Sequence, residues 1–137
     1  MAVSNKKATF AADVKEVWDV VVSLTEYSWR RDVADIQVLK PGKQFVEHTK
    51  DGFSTTFTIT AFEPCRRYEF DLENANMKGH WVGLFSSEGG KTTVDFTEDV
   101  TAKKALLKPV VKGYLKKQQA AYLADLTKRL EGESASL

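Results

Sequence analysis

Glu98 and His48 are the two residues of this sequence whose types are best suited to acid–base chemistry inside a fold. Each falls on the predicted inward side of an alternating segment. A buried carboxyl group loses the solvation of its charged form, so its pKa rises toward neutrality. A neighbouring imidazole could pass on that proton or orient a carbonyl or phenolic oxygen. The pair predicts proton transfer or contact with a ligand. The alternative is that the strand register differs, or that each residue lies at a solvent-exposed end of the sheet, and then neither role applies.

The position of His48 depends on a hairpin. Asp51-Gly52 separates two alternating segments and favours a two-residue type I′ loop. With that loop His48 pairs with Thr55, and Glu47 falls on the polar face. The inward face then holds Val46, His48, Phe57 and Ile59.

The remaining segments predict a mixed chain of strands and helices. Alternation over residues 67–72 and 92–101 predicts strands that place Tyr68, Phe70, Phe96 and Glu98 inward. Residues 9–12 end a first strand, and a short helix and then a second short helix or turn over residues 25–31 follow. A long C-terminal helix begins near Pro109, and its apolar stripe is interrupted by Gln118. The elements predict an α+β fold in which this helix covers an antiparallel sheet.

Composition excludes several classes of protein. With 137 residues, 42% of them hydrophobic, we expect a single globular domain over residues 1–137, ordered over about 7–131. A net charge of +1 gives no reason to expect a nucleic-acid partner. The basic pair Arg30-Arg31 is expected to be solvated. The single cysteine, two histidines and absence of phosphate-binding motifs predict no metal site and no cofactor. No apolar run suits a signal peptide or a membrane span, so we expect a cytoplasmic protein.

The pattern as a whole resembles the SRPBCC (Bet v 1-like or START-like) superfamily, especially its small bacterial polyketide cyclase/dehydrase-like members. The segments that carry the resemblance are Phe10-Ala11-Ala12, Val17-Trp18, Trp29, residues 59–70, residues 90–94, and the final helix with Leu126 and Leu130. The resemblance implies a helix-grip fold, in which a curved sheet of about six to seven strands wraps around the C-terminal helix. Two short helices after the first strand would close one end.

The resemblance also implies an apolar cavity between sheet and helix. Besides Glu98 and His48 as candidate catalytic residues, the residues expected to contact a ligand are Trp29, Phe57, Tyr68, Phe70, Trp81, Phe96, Tyr114, Gln118 and Tyr122. The leading hypothesis is binding of a small hydrophobic molecule, aromatic, polyketide-like or lipid-like, by a monomer or homodimer. The alternatives are a cyclase/dehydratase-like or hydrolase-like enzyme and a protein-interaction module that docks through its basic helix or a sheet edge.

Overall fold

The structure is a computed structural model that describes the backbone of residues 2–136 and the side chains of residues 2–131. The elements in chain order are β1 (Ala2–Phe10), α1 (Val14–Val22), β2 (Val33–Lys40), β3 (Gln44–Thr49), β4 (Ser54–Glu63), β5 (Arg67–Glu73), β6 (Met77–Glu88), β7 (Lys91–Ala102), a 3₁₀ turn (Ala105–Leu107) and α2 (Lys108–Ser136). β1 begins at Ala2, earlier than the expected start of order near residue 7. The backbone of residues 132–136 continues α2, where the sequence predicted fraying, and residue 137 lies outside the described residues.

The strands form one antiparallel sheet of seven strands, in the order β1-β7-β6-β5-β4-β3-β2. The sheet has one apolar face because apolar and polar residues alternate along β5 and β7. The long helix α2 lies on that face, so the predicted helix-grip fold is confirmed. Residues 25–31 form a turn instead of a second short helix. There the hydroxyl of Ser23 accepts a hydrogen bond from the Glu26 backbone N–H at 3.0 Å, a local turn that competes with helix formation.

The predicted register of the β3–β4 hairpin is wrong by one residue. The loop contains three residues, since Thr49 pairs with Phe53 and the Gly52 N–H donates to the Thr49 carbonyl oxygen at 3.1 Å. Gly52 has a φ of 93°, which fits the left-handed residue of a three-residue loop. A shift of one residue moves every side chain of a strand to the opposite face. His48 therefore pairs with Ser54 and leaves the concave face.

Two residues of β3 that the sequence placed on the polar face point inward. Phe45 pairs with Phe57 and is almost fully buried, and Glu47 pairs with Thr55. On the convex face, His48 Nδ1 lies 2.8 Å from the hydroxyl of Ser54. His48 cannot act together with Glu98, because the sheet separates the two side chains.

The buried stripe of α2 also differs from prediction by one residue in its middle. Val111, Leu115, Leu126 and Leu130 are buried, and the buried amide between them is Gln119, while Gln118 is exposed. The amide nitrogen of Gln119 donates to the Ser4 carbonyl oxygen at 3.2 Å, and the hydroxyl of Ser4 donates to Gln119 Oε1 at 2.6 Å. These bonds satisfy a polar group under the helix and fix α2 against β1.

Candidate functional site

The two helices leave one half of the concave face open. α2 packs mainly on β1 and β7, whereas α1 packs on β6 and β7. Phe62 of β4 meets the edge of Trp18 of α1 at 5.3 Å and remains 51% exposed. Tyr114 of α2 is 52% exposed and forms the rim on the side of the long helix. We call the space between Tyr114 and the concave face of β3, β4 and β5 the groove.

Aromatic side chains form the floor of the groove. Phe70 and Trp81 stack with ring centroids 4.8 Å apart, and Phe70 meets the edge of Phe57 at 5.0 Å. The ring network continues from Trp81 through Phe96 to Tyr122. Rings at these separations are in contact, so side chains occupy much of the interior. Phe57 is only partly buried, so a ligand would lie against it on the open side of this floor.

Gly83 makes room for this stacking. A Cβ atom at this position would lie 2.4 Å from a ring atom of Trp81 and 3.3 Å from Phe96. The indole of Trp81 therefore lies over the backbone of its own strand, at a place where any other residue would project a side chain. The absence of a Cβ atom is what allows the ring to lie flat against Phe70.

Glu98 lies on β7 beside this floor, opposite Trp81 in the strand register. It makes no hydrogen bond or ion pair with any residue whose side chain the structure describes. Burial raises the pKa of Glu98 to about 7, and the negative charge of Glu47 adds to the rise. The carboxyl group thus changes its charge near neutral pH and is able to give or accept a proton.

A partly buried ion pair closes one side of the groove. Arg30 Nη1 and Nη2 donate to the two carboxylate oxygens of Glu47 at 2.7 and 3.1 Å, and Nη2 lies 3.4 Å from Asp32. Burial opposes the charge of Arg30, but the attraction of Glu47 outweighs it and raises the pKa of the guanidinium. The Nε atom of Arg30 is buried and has no acceptor among the described residues. Opposite charges in this bidentate geometry hold the turn of residues 25–31 against β3.

Tyr122 of α2 connects this ion pair to the aromatic floor. The guanidinium carbon of Arg30 lies 5.3 Å from the centre of the Tyr122 ring, within the range of a cation–π contact. Trp29 meets the other side of Tyr122 at a centroid distance of 5.3 Å. Burial raises the pKa of Tyr122, so its hydroxyl stays neutral.

The structure brings together most of the residues singled out from the sequence. Trp29, Phe57, Tyr68, Phe70, Trp81, Phe96, Glu98 and Tyr122 belong to one continuous inner surface. His48 and Gln118 lie away from it, and Tyr114 reaches only its rim. The sequence predicts Glu47 on the polar face and Arg30 in solvent, whereas the structure pairs the two side chains at a largely buried position. A three-residue loop at Asp51-Gly52 would have placed Glu47 on the inward face, but no local pattern signals its pairing with Arg30.

Two clefts elsewhere on the surface lack these features. One, of about 890 Å³, lies on the convex face near His80, and the other, of about 540 Å³, lies beside α1. Neither is lined by Phe, Tyr or Trp. Within the described residues no cluster of three His, Cys, Asp or Glu side chains is arranged to hold a metal ion. Neither α1 nor the described part of α2 has the length and apolar character needed to cross a bilayer.

The curved sheet, the gripping helix and the aromatic floor define a helix-grip protein. The sequence model of the family described as polyketide cyclase / dehydrase and lipid transport matches residues 1–131. The chain belongs to this family, which confirms the resemblance to the SRPBCC superfamily. No curated protein is similar enough to count as a match.

Solved structures agree with this fold. A START superfamily protein from Mycobacterium smegmatis is 14% identical, with 96% of this chain and 99% of that chain covered and a TM-score of 0.87. The di-domain ARO/CYC BexL from the BE-7585A biosynthetic pathway is 12% identical, with 96% and 47% covered and a TM-score of 0.81. The Aha1 dimer from Colwellia psychrerythraea is 14% identical, with 96% and 97% covered and a TM-score of 0.74. At such identities the likeness shows the fold alone.

Proposed function

We propose that this protein binds a small hydrophobic molecule, aromatic or lipid-like, in the groove between α2 and the concave face of the sheet. The observation that carries the proposal is the continuous aromatic floor, which is open on one side next to Glu98, a carboxyl group that has no partner among the described side chains. Exposed apolar surface that is contiguous and concave is typical of small-molecule sites. The match to a family that includes lipid transport proteins supports the same conclusion.

Ligand binding is testable with a pair of matched variants. Tyr114 at the rim is 52% exposed, and Leu84 on the convex face is 41% exposed. Both lose apolar surface when replaced by Ala, but only Tyr114 faces the groove. We expect 2-naphthalenemethanol and oleate, used as neutral aromatic and lipid-like probes, to raise the melting temperature of the protein in proportion to their concentration. Tyr114→Ala should weaken this stabilisation, whereas Leu84→Ala should leave it unchanged.

The proposal fails if neither probe shifts the melting temperature of the unsubstituted protein and native mass spectrometry of freshly purified protein shows no adduct. It also fails if Leu84→Ala weakens probe binding as much as Tyr114→Ala, because that result places the probe on the convex face.

A second candidate function, favoured by Glu98, is acid–base catalysis on a carbonyl compound held in the groove. A pKa of about 7 suits a side chain that must both lose and regain a proton near neutral pH. Since His48 lies on the other face, Glu98 would act without it. Turnover of a poly-β-ketone substrate that is lost in Glu98→Gln, while binding of that substrate persists, would support catalysis. Retained turnover in Glu98→Gln would exclude this role.

A further inference from the structure

The inference concerns the charge of the ligand and rests on the proposed function of the groove. Glu98 is the starting point, because a carboxyl group at a largely apolar site is normally paired with a cation or with hydrogen-bond donors. Here both influences on its pKa, burial and the charge of Glu47, act against ionisation. Among the side chains of residues 2–131, none donates a hydrogen bond to Glu98 or forms an ion pair with it.

The two arginines near the groove are already engaged. Arg30 is held by Glu47 and Asp32. Its neighbour Arg31 turns toward α2, where it donates to the carboxylate of Asp125 at 2.8 Å. Neither guanidinium is therefore available to an anionic ligand.

The rim of the groove adds further negative charge. The pKa of the Tyr114 hydroxyl is raised by burial and then by the charges of Glu98, Asp32 and Asp51, so the charges that act on this part of the rim are negative. Negative charge at the rim disfavours carboxylate ligands and favours cations.

The walls next to Glu98 are also suited to a cation. Trp81 is its partner on β6, and Phe96 lies two residues before it on the same face of β7. Tyr122 already receives the Arg30 guanidinium over its ring, which shows that a cation is accommodated on this aromatic surface. Aromatic faces and one carboxylate together form the usual recognition site for an organic ammonium group.

We propose that the groove selects hydrophobic molecules that carry a protonated amine, with the ammonium group paired to Glu98 and the apolar part lying on the aromatic floor. The ammonium supplies the hydrogen bonds and the charge that Glu98 lacks in the protein. Ligands of the same shape with a hydroxyl in place of the amine bind more weakly, and ligands with a carboxylate bind most weakly.

The test compares three probes of similar shape, 2-naphthylmethylamine, 2-naphthalenemethanol and 2-naphthoate, by isothermal titration calorimetry. At pH 8 the amine should bind about tenfold more tightly than the alcohol, because its ammonium group forms an ion pair with the Glu98 carboxylate, whereas the hydroxyl carries no charge. At pH 6 the affinity for the amine should fall about tenfold, since a group with a pKa of about 7 is then mostly protonated. The alcohol should show no such change.

The titratable and charged groups on the elements packed around Glu98 are Glu47 on β3, Arg30 and Asp32 in the turn before β2, Lys6 on β1, and Tyr114 and Tyr122 on α2. Of these, Glu47 is the one whose charge raises the pKa of Glu98. Both histidines, His48 and His80, lie on the convex face. Glu98 is therefore the group to which a change in amine affinity between pH 6 and 8 would be assigned.

Two variants assign the effect to Glu98. Glu98→Gln should abolish the preference for the amine, and measurable binding of the alcohol to this variant demonstrates a folded groove. Asp99→Asn removes the same charge from the next residue, on the convex face, and should preserve the preference.

The outcomes separate this inference from the proposed function. If alcohol and amine bind equally at pH 8, or if naphthoate binds most tightly, the inference is wrong while ligand binding in the groove stands. If Asp99→Asn reduces the preference as much as Glu98→Gln, the effect comes from net charge and the inference is again wrong. If none of the three probes binds, the proposed function fails together with it.

Discussion

Replacing Glu98 by Gln is expected to stabilise the protein, and more strongly at high pH than at low pH. Folding moves the pKa of Glu98 from 4.5 to about 7, so the folded state disfavours its charged form. The contribution of Glu98 to the unfolding free energy is therefore fully present below pH 4.5 and is lost as the pH rises through about 7. Burial of Glu98 lowers the unfolding free energy by about 1 kcal/mol at pH 5.5 and by about 3 kcal/mol at pH 8.5.

The measurement is urea denaturation followed by tryptophan fluorescence, at pH 5.5 and 8.5, with unfolding free energies compared between variants. Glu98→Gln should gain about 2 kcal/mol more at the higher pH than at the lower pH. Groups common to both proteins, such as His80, cancel in this difference. The control is Glu88→Gln in the exposed turn between β6 and β7, which should gain nothing at either pH. An equal gain for Glu98→Gln at both pH values would refute the reasoning, because burial of a charge would not be its cause.

Three further predictions concern the rest of the inner surface and the convex face. Gly83→Ala should destabilise by about 1–3 kcal/mol and lower the melting temperature, since the added Cβ would lie 2.4 Å from the Trp81 ring. Arg30→Met should lower the unfolding free energy by about 3 kcal/mol or more, because Glu47 is left without its partner. NMR titration should give His80 a pKa above 6.5, since two carboxylate contacts outweigh the effect of burial, and its stabilising contribution should fade above that pH.

Each of these predictions has its own control. Gly113→Ala places a Cβ where no atom lies within 4 Å, so it should stabilise α2 by about 0.5–1 kcal/mol. If Arg30→Met combined with Glu47→Leu is no more stable than Arg30→Met alone, an unpaired charge is not the reason for the loss. Asp71→Asn should lower the pKa of His80, and an unchanged titration would contradict the role of the hydrogen bond at 2.7 Å.

Much of the fold follows from patterns that a sequence carries locally. The alternation around Tyr68 and Phe70 assigned those side chains to the correct face, because a strand with one buried side must alternate with a period of two. The spacing of Leu126 and Leu130 likewise fits the buried face of α2. These features depend only on the geometry of one element.

The errors of prediction arise where the position of one residue determines which way the side chains of a whole strand or helix face. Asp51-Gly52 is compatible with a loop of two or three residues, and the choice between them determines whether His48 or Glu47 faces the groove. The helical pattern predicted Gln118 as the amide within the stripe, whereas the contact with β1 is made by Gln119. The ion pair of Arg30 with Glu47 joins a turn to a strand 17 residues later, and no local pattern signals it.

The pairing of the first strand with the last has a consequence for synthesis of the chain. Ala2 lies opposite Val100, so β1 finds its partner only after about three-quarters of the chain has been made. Because synthesis begins at the N-terminus, β1 remains without its partner β7 while β2 to β6 are being made. The edge of β6 that β7 will occupy is exposed during the same interval, and α2 cannot seal the concave face before β1 and β7 are in place. We therefore expect folding to be completed late, when the N-terminal strand and the C-terminal helix take their places together. Chaperones that shield exposed strand edges would act before that step.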